Sequence, residues 1–145
     1  MNFNLALPLY RNSREHPQRL ALAAQGVNLT YSEVVVVARN ISGTLRTAGV
    51  KRGGRVGVLA SRSIEACAGT LAACWSGAAY VPISLRVPED RLLEILALAE
   101  FDALIADARG AQLLSERVLP AIPKLILVPD AEAQNLSRRT GRFAR

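Results

Sequence analysis

Short apolar runs alternate with helix-forming segments along about half of the chain, and this alternation is the strongest constraint on its fold. The apolar runs, each bounded by glycine, proline or polar residues, predict buried strands at residues 56–60, 79–83, 103–106 and 125–128. The intervening segments predict helices at residues 64–76, 88–100 and 111–119. Strands and helices that alternate in this way are typical of a parallel sheet with right-handed crossovers. The chain is therefore expected to have an α/β fold.

The residues before this alternation predict a helix, a small β-hairpin and a longer second helix. These elements are expected at residues 5–14, 20–24, 27–29 and 31–48. Thr30 and Glu33 fit a capping box, in which the side chain of each residue binds the backbone amide of the other. The helix that begins there should cover one face of the sheet. The whole is expected to be a three-layer unit with a mostly parallel sheet.

The positive charge of the chain is concentrated at its end. The formal net charge is +6, but residues 135–145 hold four arginines and no acid, which leaves 14 basic and 12 acidic residues in residues 1–134. We expect one unit at residues 1–134 and a basic, disordered tail at residues 135–145. Aromatic residues do not interleave with basic ones before that tail, so a nucleic-acid partner is not expected.

The sequence lacks the residue patterns of common catalytic and metal sites. It contains neither a G-x-G-x-x-G nor a G-x-x-x-x-G-K-[ST] phosphate loop, and it contains no G-x-S-x-G nucleophile motif. One histidine and two cysteines cannot build a zinc site of the usual spacing. Ser61 and Ser63 follow a predicted strand, and both are expected to cap the next helix. We therefore expect no catalytic residue and no metal ligand in this chain.

The cellular setting is inferred from hydropathy and from the two cysteines. The most apolar stretch, residues 64–83, is interrupted by polar residues and proline, so a membrane span is not expected. Cys67 and Cys74 lie seven residues apart in one predicted helix, about 10 Å apart by helical rise, and cannot form a disulfide there. They are expected to be buried thiols, which favours a reducing, cytoplasmic compartment.

Four motifs, in order and at matching spacing, resemble the start of the adenylate-forming ligase superfamily. Residues 29–34 (L-T-Y-S-E-V) are similar to its L-T-Y-x-E-L, and residues 75–83 (W-S-G-A-A-Y-V-P-I) to its K-A-G-A-A-Y-V-P-L. Residues 48–56 resemble G-V-x-x-G-D-x-V, and residues 88–92 resemble P-x-x-R-L. The superfamily includes acyl-CoA synthetases, nonribosomal peptide adenylation domains and D-alanyl carrier ligases. The resemblance implies that this chain is half of a larger adenylating-enzyme domain.

The chain departs from the family motifs at three places. Gly54 stands where the family usually has Asp, which is expected to loosen a turn. Trp75 stands where the family often has Lys. Ser84-Leu85 replaces the usual Asp-Pro or Asn-Pro after the second motif.

The resemblance implies a parent enzyme that uses ATP, magnesium, and CoA or a carrier phosphopantetheine to activate a carboxylate and form a thioester. The family's phosphate loop, T-S-G-T-T-G-x-P-K-G, does not occur in this sequence, so none of these cofactors is expected to be bound by this chain alone. One site residue is implied by the resemblance: Arg86 matches an arginine that lies near the CoA phosphates in some CoA ligases. An exposed loop arginine without that role is the alternative.

Two functions stay open on the sequence alone. The first is an N-terminal fragment of an acyl- or aminoacyl-adenylating ligase that is inactive by itself. The second is a noncatalytic binding or complementation module that pairs with a separate remainder of the enzyme or associates with itself. An exposed apolar surface would support the second function.

Overall fold

A computed structural model describes residues 4–123 and 126–127 of the chain. The chain begins with helix α1 (Leu7–Glu15), followed by an antiparallel hairpin of β1 (Leu20–Ala24) and β2 (Val27–Thr30). Gln25 and Gly26 form the hairpin turn, both with positive φ. The alternating part then contains the following elements: α2 (Tyr31–Thr47), β3 (Arg55–Leu59), α3 (Ile64–Trp75), β4 (Ala79–Ile83), α4 (Glu89–Ala99), β5 (Ala103–Ala106), α5 (Ala108–Gln112) and β6 (Ile126–Leu127).

The alternating strands form one four-stranded parallel sheet in the order β4-β3-β5-β6. Because the chain steps from β3 to β4 on one side and then returns to β5 on the other, the direction of winding reverses between β3 and β5. Helices α2 and α3 cover one face, where Leu45 and Ala72 pack on Val56 and Ile105. Helix α4 covers the opposite face, where Leu92 and Leu96 join a cluster with strand residues. The predicted three-layer α/β fold with a mostly parallel sheet is confirmed.

The start of α2 confirms the capping box. The Thr30 amide donates to Glu33 Oε2 at 2.7 Å, and the Glu33 amide donates to Thr30 Oγ1 at 3.4 Å. The hydrogen bond from the Thr30 amide lowers the pKa of the Glu33 carboxyl. Two donors that a helix start would leave unpaired are thereby satisfied. This local motif fixes where α2 begins, as the sequence predicts.

The prediction of the last helix is wrong in both position and length. Helix α5 spans Ala108–Gln112 instead of residues 111–119, and a 3₁₀ turn follows at Leu119–Ala121. The helix begins earlier because Asp107 accepts from the Gly110 amide at 2.8 Å and thereby caps it. The predicted strand at residues 125–128 is confirmed at Ile126–Leu127, its described part. The predicted tail, residues 135–145, lies outside the described residues.

The space beside Gly54 is filled by another side chain, and the expected loosening of this turn stays a prediction. The Asp102 carboxylate accepts from the Arg55 amide at 2.8 Å. A Cβ on Gly54 would lie 2.7 Å from Asp102 Oδ2 and 2.9 Å from the Lys51 carbonyl oxygen. Real Cβ atoms essentially never approach other atoms so closely, so the Asp102 carboxylate can take this position only beside a glycine.

Strand β4 lies at one edge of the sheet as described. The Ala79 amide donates to the Gly54 carbonyl at 2.8 Å, toward β3. Because the backbone groups of successive strand residues point to alternate sides, those of Tyr80 and Pro82 point away from β3. Proline has no amide hydrogen to donate, and an edge strand is where a sheet tolerates it. The outer edge of β4 is therefore poor in hydrogen-bond donors.

Candidate functional site

The carboxyl ends of the parallel strands are the part of this fold where polar side chains gather. In open α/β sheets, ligands bind in the crevice beyond the carboxyl ends of the strands, at the point where the winding direction reverses. Here that point lies between β3 and β5. Ser61 follows β3, Asp107 follows β5, and Arg86 lies in the loop after β4. The topology thus brings three loops of the chain to one edge of the sheet.

Asp107 joins the ends of β3 and β5. Its Oδ2 accepts from the Ser61 amide at 2.7 Å and from the Ser61 hydroxyl, and its Oδ1 accepts from the Gly110 amide. The residue is 3% exposed, so these bonds replace water at a buried carboxyl. The sequence did not single out Asp107, although an aspartate three residues before a glycine at a strand end has the pattern of a helix cap.

The protonation state of Asp107 follows from these partners. Burial of the carboxyl raises its pKa, but the hydrogen bonds donated by the Ser61 hydroxyl and by the Gly110 and Ser61 amides outweigh burial. The net result is a pKa below the usual value for aspartate. Asp107 is therefore an anion that accepts hydrogen bonds from its own chain.

Gly110 brings α5 against the end of β3. A Cβ at this position would overlap the Leu59 carbonyl oxygen and would also lie 2.8 Å from the Leu59 carbonyl carbon. Helix α5 can approach the strand this closely only with glycine at its third residue. The crevice between β3 and β5 is thus occupied by the Asp107 hydrogen bonds and the α5 contact, both made by the chain itself.

The predicted capping serines behave differently from each other. Ser63 is 1% exposed, and its Oγ accepts from the Ala66 amide at 3.2 Å at the start of α3, as predicted. Ser61 does not cap that helix, because its hydroxyl donates to Asp107 instead. The expected role is therefore confirmed for Ser63 and wrong for Ser61.

Arg86, the one predicted binding residue, lies on the surface near this edge. Its side chain is exposed, and its backbone amide donates to Ser84 Oγ at 3.2 Å. Its guanidinium makes no ion pair with any other described residue, whereas Arg117 binds Asp90 at 2.6 Å and Glu89 at 3.2 Å. The carboxylates nearest to Arg86 in sequence are thus held by another arginine.

Three further observations bear on the expected chemistry. Within residues 4–123, no three histidine, cysteine or acidic side chains lie close enough together to hold a metal ion. No described helix is both long enough and apolar enough to cross a membrane. Both cysteines lie on α3 as free thiols; Cys74 is half-buried, but Cys67 is exposed, so the expectation that both are buried is wrong for Cys67.

Comparison with known proteins identifies a matching family model and relatives of similar sequence. Residues 9–142 match the family model of AMP-binding enzymes. The chain is 41% identical over 101 residues to malpibaldin synthetase of Mortierella alpina, a match that covers 70% of this chain and 2% of that protein. It is 27% identical over 117 residues to syringomycin synthase SyrB1 of Pseudomonas syringae pv. syringae, covering 81% and 19%.

Solved structures agree with the sequence relatives. The crystal structure of IdnL7 is 32% identical with a TM-score of 0.76, and the match covers 90% of this chain and 26% of that one. A putative long-chain-fatty-acid CoA ligase from Rhodopseudomonas palustris is 25% identical with a TM-score of 0.79, covering 88% and 33%. The N-terminal domain of FACL13 from Mycobacterium tuberculosis shares the fold at a TM-score of 0.80.

This chain spans a small part of each of these relatives, about a third or less of each solved structure named above. The motifs at residues 29–34, 48–56, 75–83 and 88–92 all lie within the matched range. The resemblance drawn from them is thereby confirmed, and the chain belongs to the AMP-binding enzyme family.

Proposed function

We propose that this chain is an N-terminal portion of an ATP-dependent acyl- or aminoacyl-adenylating ligase and that it does not catalyse adenylation alone. The observation that carries this proposal is the occupied crevice between β3 and β5. The polar groups there, Ser61 and Asp107, bind each other and the start of α5. In this proposal the chain supplies a rigid wall of the large domain, and the groups that grip the nucleotide lie outside it.

The parent reaction explains why such a wall is insufficient for catalysis. A carboxylate attacks the α-phosphorus of ATP, pyrophosphate leaves, and the acyl-adenylate then transfers its acyl group to a thiol with release of AMP. The transition state of the first step is stabilised by positioned cations and backbone donors around the phosphates. ATP and magnesium would be held by the remainder of the ligase.

Adenylation by the isolated chain should be undetectable. We expect ATP–pyrophosphate exchange at background level when the purified chain is given ATP, magnesium and a panel of fatty, aromatic and amino acids. A chimera in which this chain replaces the matching segment of the putative CoA ligase from Rhodopseudomonas palustris should exchange pyrophosphate, because the fold and 25% of the aligned residues are shared. Exchange by the chain alone, or a folded chimera without exchange, would contradict the proposal.

Arg86 is the residue of this chain that we propose to contact the thiol acceptor. Its exposed guanidinium, which forms no ion pair within the part of the chain that the structure describes, can form a paired hydrogen bond with a phosphate of CoA. In a chimera with the Rhodopseudomonas CoA ligase, Arg86→Glu should raise the KM for CoA by about tenfold and leave pyrophosphate exchange unchanged. Arg91→Glu is the matched control, since Arg91 already pairs with Glu94 at 2.6 Å. Equal effects of the two changes would remove Arg86 from the CoA site.

A noncatalytic binding or complementation module is the second candidate function. Its support is the exposure of large apolar side chains, among them Leu98 at 77%, Leu20 at 59% and Val36 at 57%. Such a module would bind a separately produced ligase remainder, or a second copy, without contributing to the chemistry. Light scattering that shows a monomer, together with no binding of a hydrophobic dye, would oppose self-association.

A further inference from the structure

A single guanidinium binds both carboxylates in the first turn of α4. Arg117, in the segment that follows α5, has its Nη1 2.6 Å from Asp90 Oδ1 and 3.2 Å from Glu89 Oε1. The Ser115 hydroxyl donates a further hydrogen bond to Glu89 Oε2 at 2.8 Å. We call these four residues the α4 cluster. The cluster links the start of the helix that follows the Arg86 loop to a segment that follows β5.

The stability of the fold gives the ion pairs of the α4 cluster little importance. Carboxylates in the first turn of a helix are already favoured by the positive end of the helix dipole, so Glu89 and Asp90 stabilise α4 without a partner. The side chains of Glu89, Asp90 and Arg117 are 42%, 77% and 63% exposed. Exposed ion pairs of this kind contribute little to folding. The effect of Arg117 is therefore expected on the charge at this edge of the sheet.

The carboxylates of the α4 cluster lie close to Arg86. Glu89 follows Arg86 by three residues, so their Cα atoms are at most about 11 Å apart. The intervening chain is not fully extended, because the Val87 amide donates to the Ser84 carbonyl at 3.3 Å and closes a turn around Arg86. The Debye length is about 8 Å at physiological ionic strength, so exposed charges at such separations still act on one another.

Arg117 is what leaves Arg86 available to a ligand. Among the described residues, Glu89 and Asp90 form ion pairs with Arg117, and Arg86 forms none. Without Arg117, both carboxylates would stand unpaired beside Arg86, and the charge of this region would be negative. A phosphate would then compete with the carboxylates for Arg86 and would also be repelled by them. With Arg117 in place, the positive and negative charges of the region balance.

We propose that Arg117 is a positioning residue for the binding of a phosphate by Arg86. Arg117 does not touch the ligand; it binds Glu89 and Asp90, so that Arg86 stays unpaired and the approach of a polyanion is not opposed. The ligand is the phosphate-bearing thiol acceptor, and the inference therefore rests on the CoA contact of Arg86 proposed above. If Arg117 only tied the segment after α5 to α4, its effect on CoA would not depend on charge or on salt.

Kinetics of the chimera with the Rhodopseudomonas CoA ligase test this role of Arg117. Arg117→Gln should raise the KM for CoA by about fivefold at low ionic strength, because the freed carboxylates then oppose a polyanion. The kcat and ATP–pyrophosphate exchange should be unchanged, since CoA enters after the adenylate has formed. Adding Glu89→Gln/Asp90→Asn to Arg117→Gln should restore the KM. At about 0.5 M salt, the variant and the parent chimera should differ by less than about twofold in KM.

Arg91→Gln is the matched control. Arg91 pairs with Glu94 at 2.6 Å on the same helix, and the carboxylate that this change releases lies about one helical turn further from Arg86. Arg91→Gln should therefore leave the KM for CoA unchanged. Circular dichroism verifies that each variant is folded before it is measured.

Three results would overturn the proposal. The first is an unchanged KM for CoA on Arg117→Gln, or an equal rise on Arg91→Gln. The second is an increase that persists at high salt or after both carboxylates are neutralised, which would assign Arg117 to a structural tie. The third is an unchanged KM on Arg86→Glu, which would remove the contact that Arg117 is proposed to serve.

The Kd for CoA, measured by calorimetry on the same variants, separates this inference from the proposed function. It should change in parallel with the KM, and it stays measurable in a chimera that does not exchange pyrophosphate. A chimera that binds CoA with this dependence on Arg117 but does not exchange pyrophosphate would contradict the adenylation function and support the role of Arg117. Exchange without this dependence would do the reverse.

Discussion

Replacing Gly110 with alanine is expected to destabilise the chain by about 3 kcal/mol or more, a large fraction of the roughly 5–15 kcal/mol by which native proteins are stable. The added Cβ would overlap the Leu59 carbonyl oxygen, which is backbone and cannot rotate away. Helix α5 would have to move off β3 and would strain the Asp107 hydrogen bonds. Urea unfolding followed by circular dichroism measures the loss.

Gly43→Ala is the matched control for this change. Gly43 lies within α2, and nothing is found within 4 Å of the place where its Cβ would be. Alanine there should be neutral or should stabilise by about 0.5–1 kcal/mol, because it favours the helix. If Gly110→Ala proved as mild as Gly43→Ala, the close approach of α5 to β3 would be refuted.

The second large effect is expected at Asp107. Asp107→Ala removes the acceptor for the Ser61 amide, the Ser61 hydroxyl and the Gly110 amide. Because the site is buried, these donors lose their partners without regaining water, and we expect a loss of about 3 kcal/mol in the free energy of unfolding. Asp102→Ala, which removes one hydrogen bond from an exposed carboxylate, should cost about 1 kcal/mol.

Asp107 should also give the stability of the chain a pH dependence in the acid range. Its pKa is lower in the folded chain than in the unfolded chain, so the charged form stabilises the fold. This contribution is complete above the unfolded pKa of about 4 and is lost as the pH falls through the lower folded pKa. Asp107→Asn should show a flatter decline of unfolding free energy below pH about 4. An unchanged slope would contradict the assignment.

Periodicity and local capping signals predicted most of the fold. The bounds of β1, β4 and β5 agree with the predicted strands, because each is a short apolar run with turn residues at its ends. Helix α5 was misplaced because apolar spacing alone cannot tell a continuous helix from two short turns around a core. The capping aspartate and the close glycine, which decide that region, act through contacts with β3, about fifty residues earlier in the chain.

Less of the candidate site than of the fold could be predicted from the sequence. The chain's motifs indicated its family and singled out Arg86, whose position in an exposed loop is compatible with a phosphate contact. They did not reveal that Ser61 binds Asp107, since the two residues lie 46 positions apart and meet only when β3 and β5 pair. The contact between Gly54 and Asp102 was hidden for the same reason, since the two residues meet only in the folded chain.

The outer side of β4 has a further consequence for the behaviour of the polypeptide in solution. An open strand with regular donors is a template on which other chains can grow into fibrils. Between Ala79 and Ile83, Tyr80 supplies one outward amide and Pro82 supplies none. Pro82 therefore opposes the addition of further strands at this edge, because it has no amide hydrogen to donate to them. It still permits the pairing of β4 with β3.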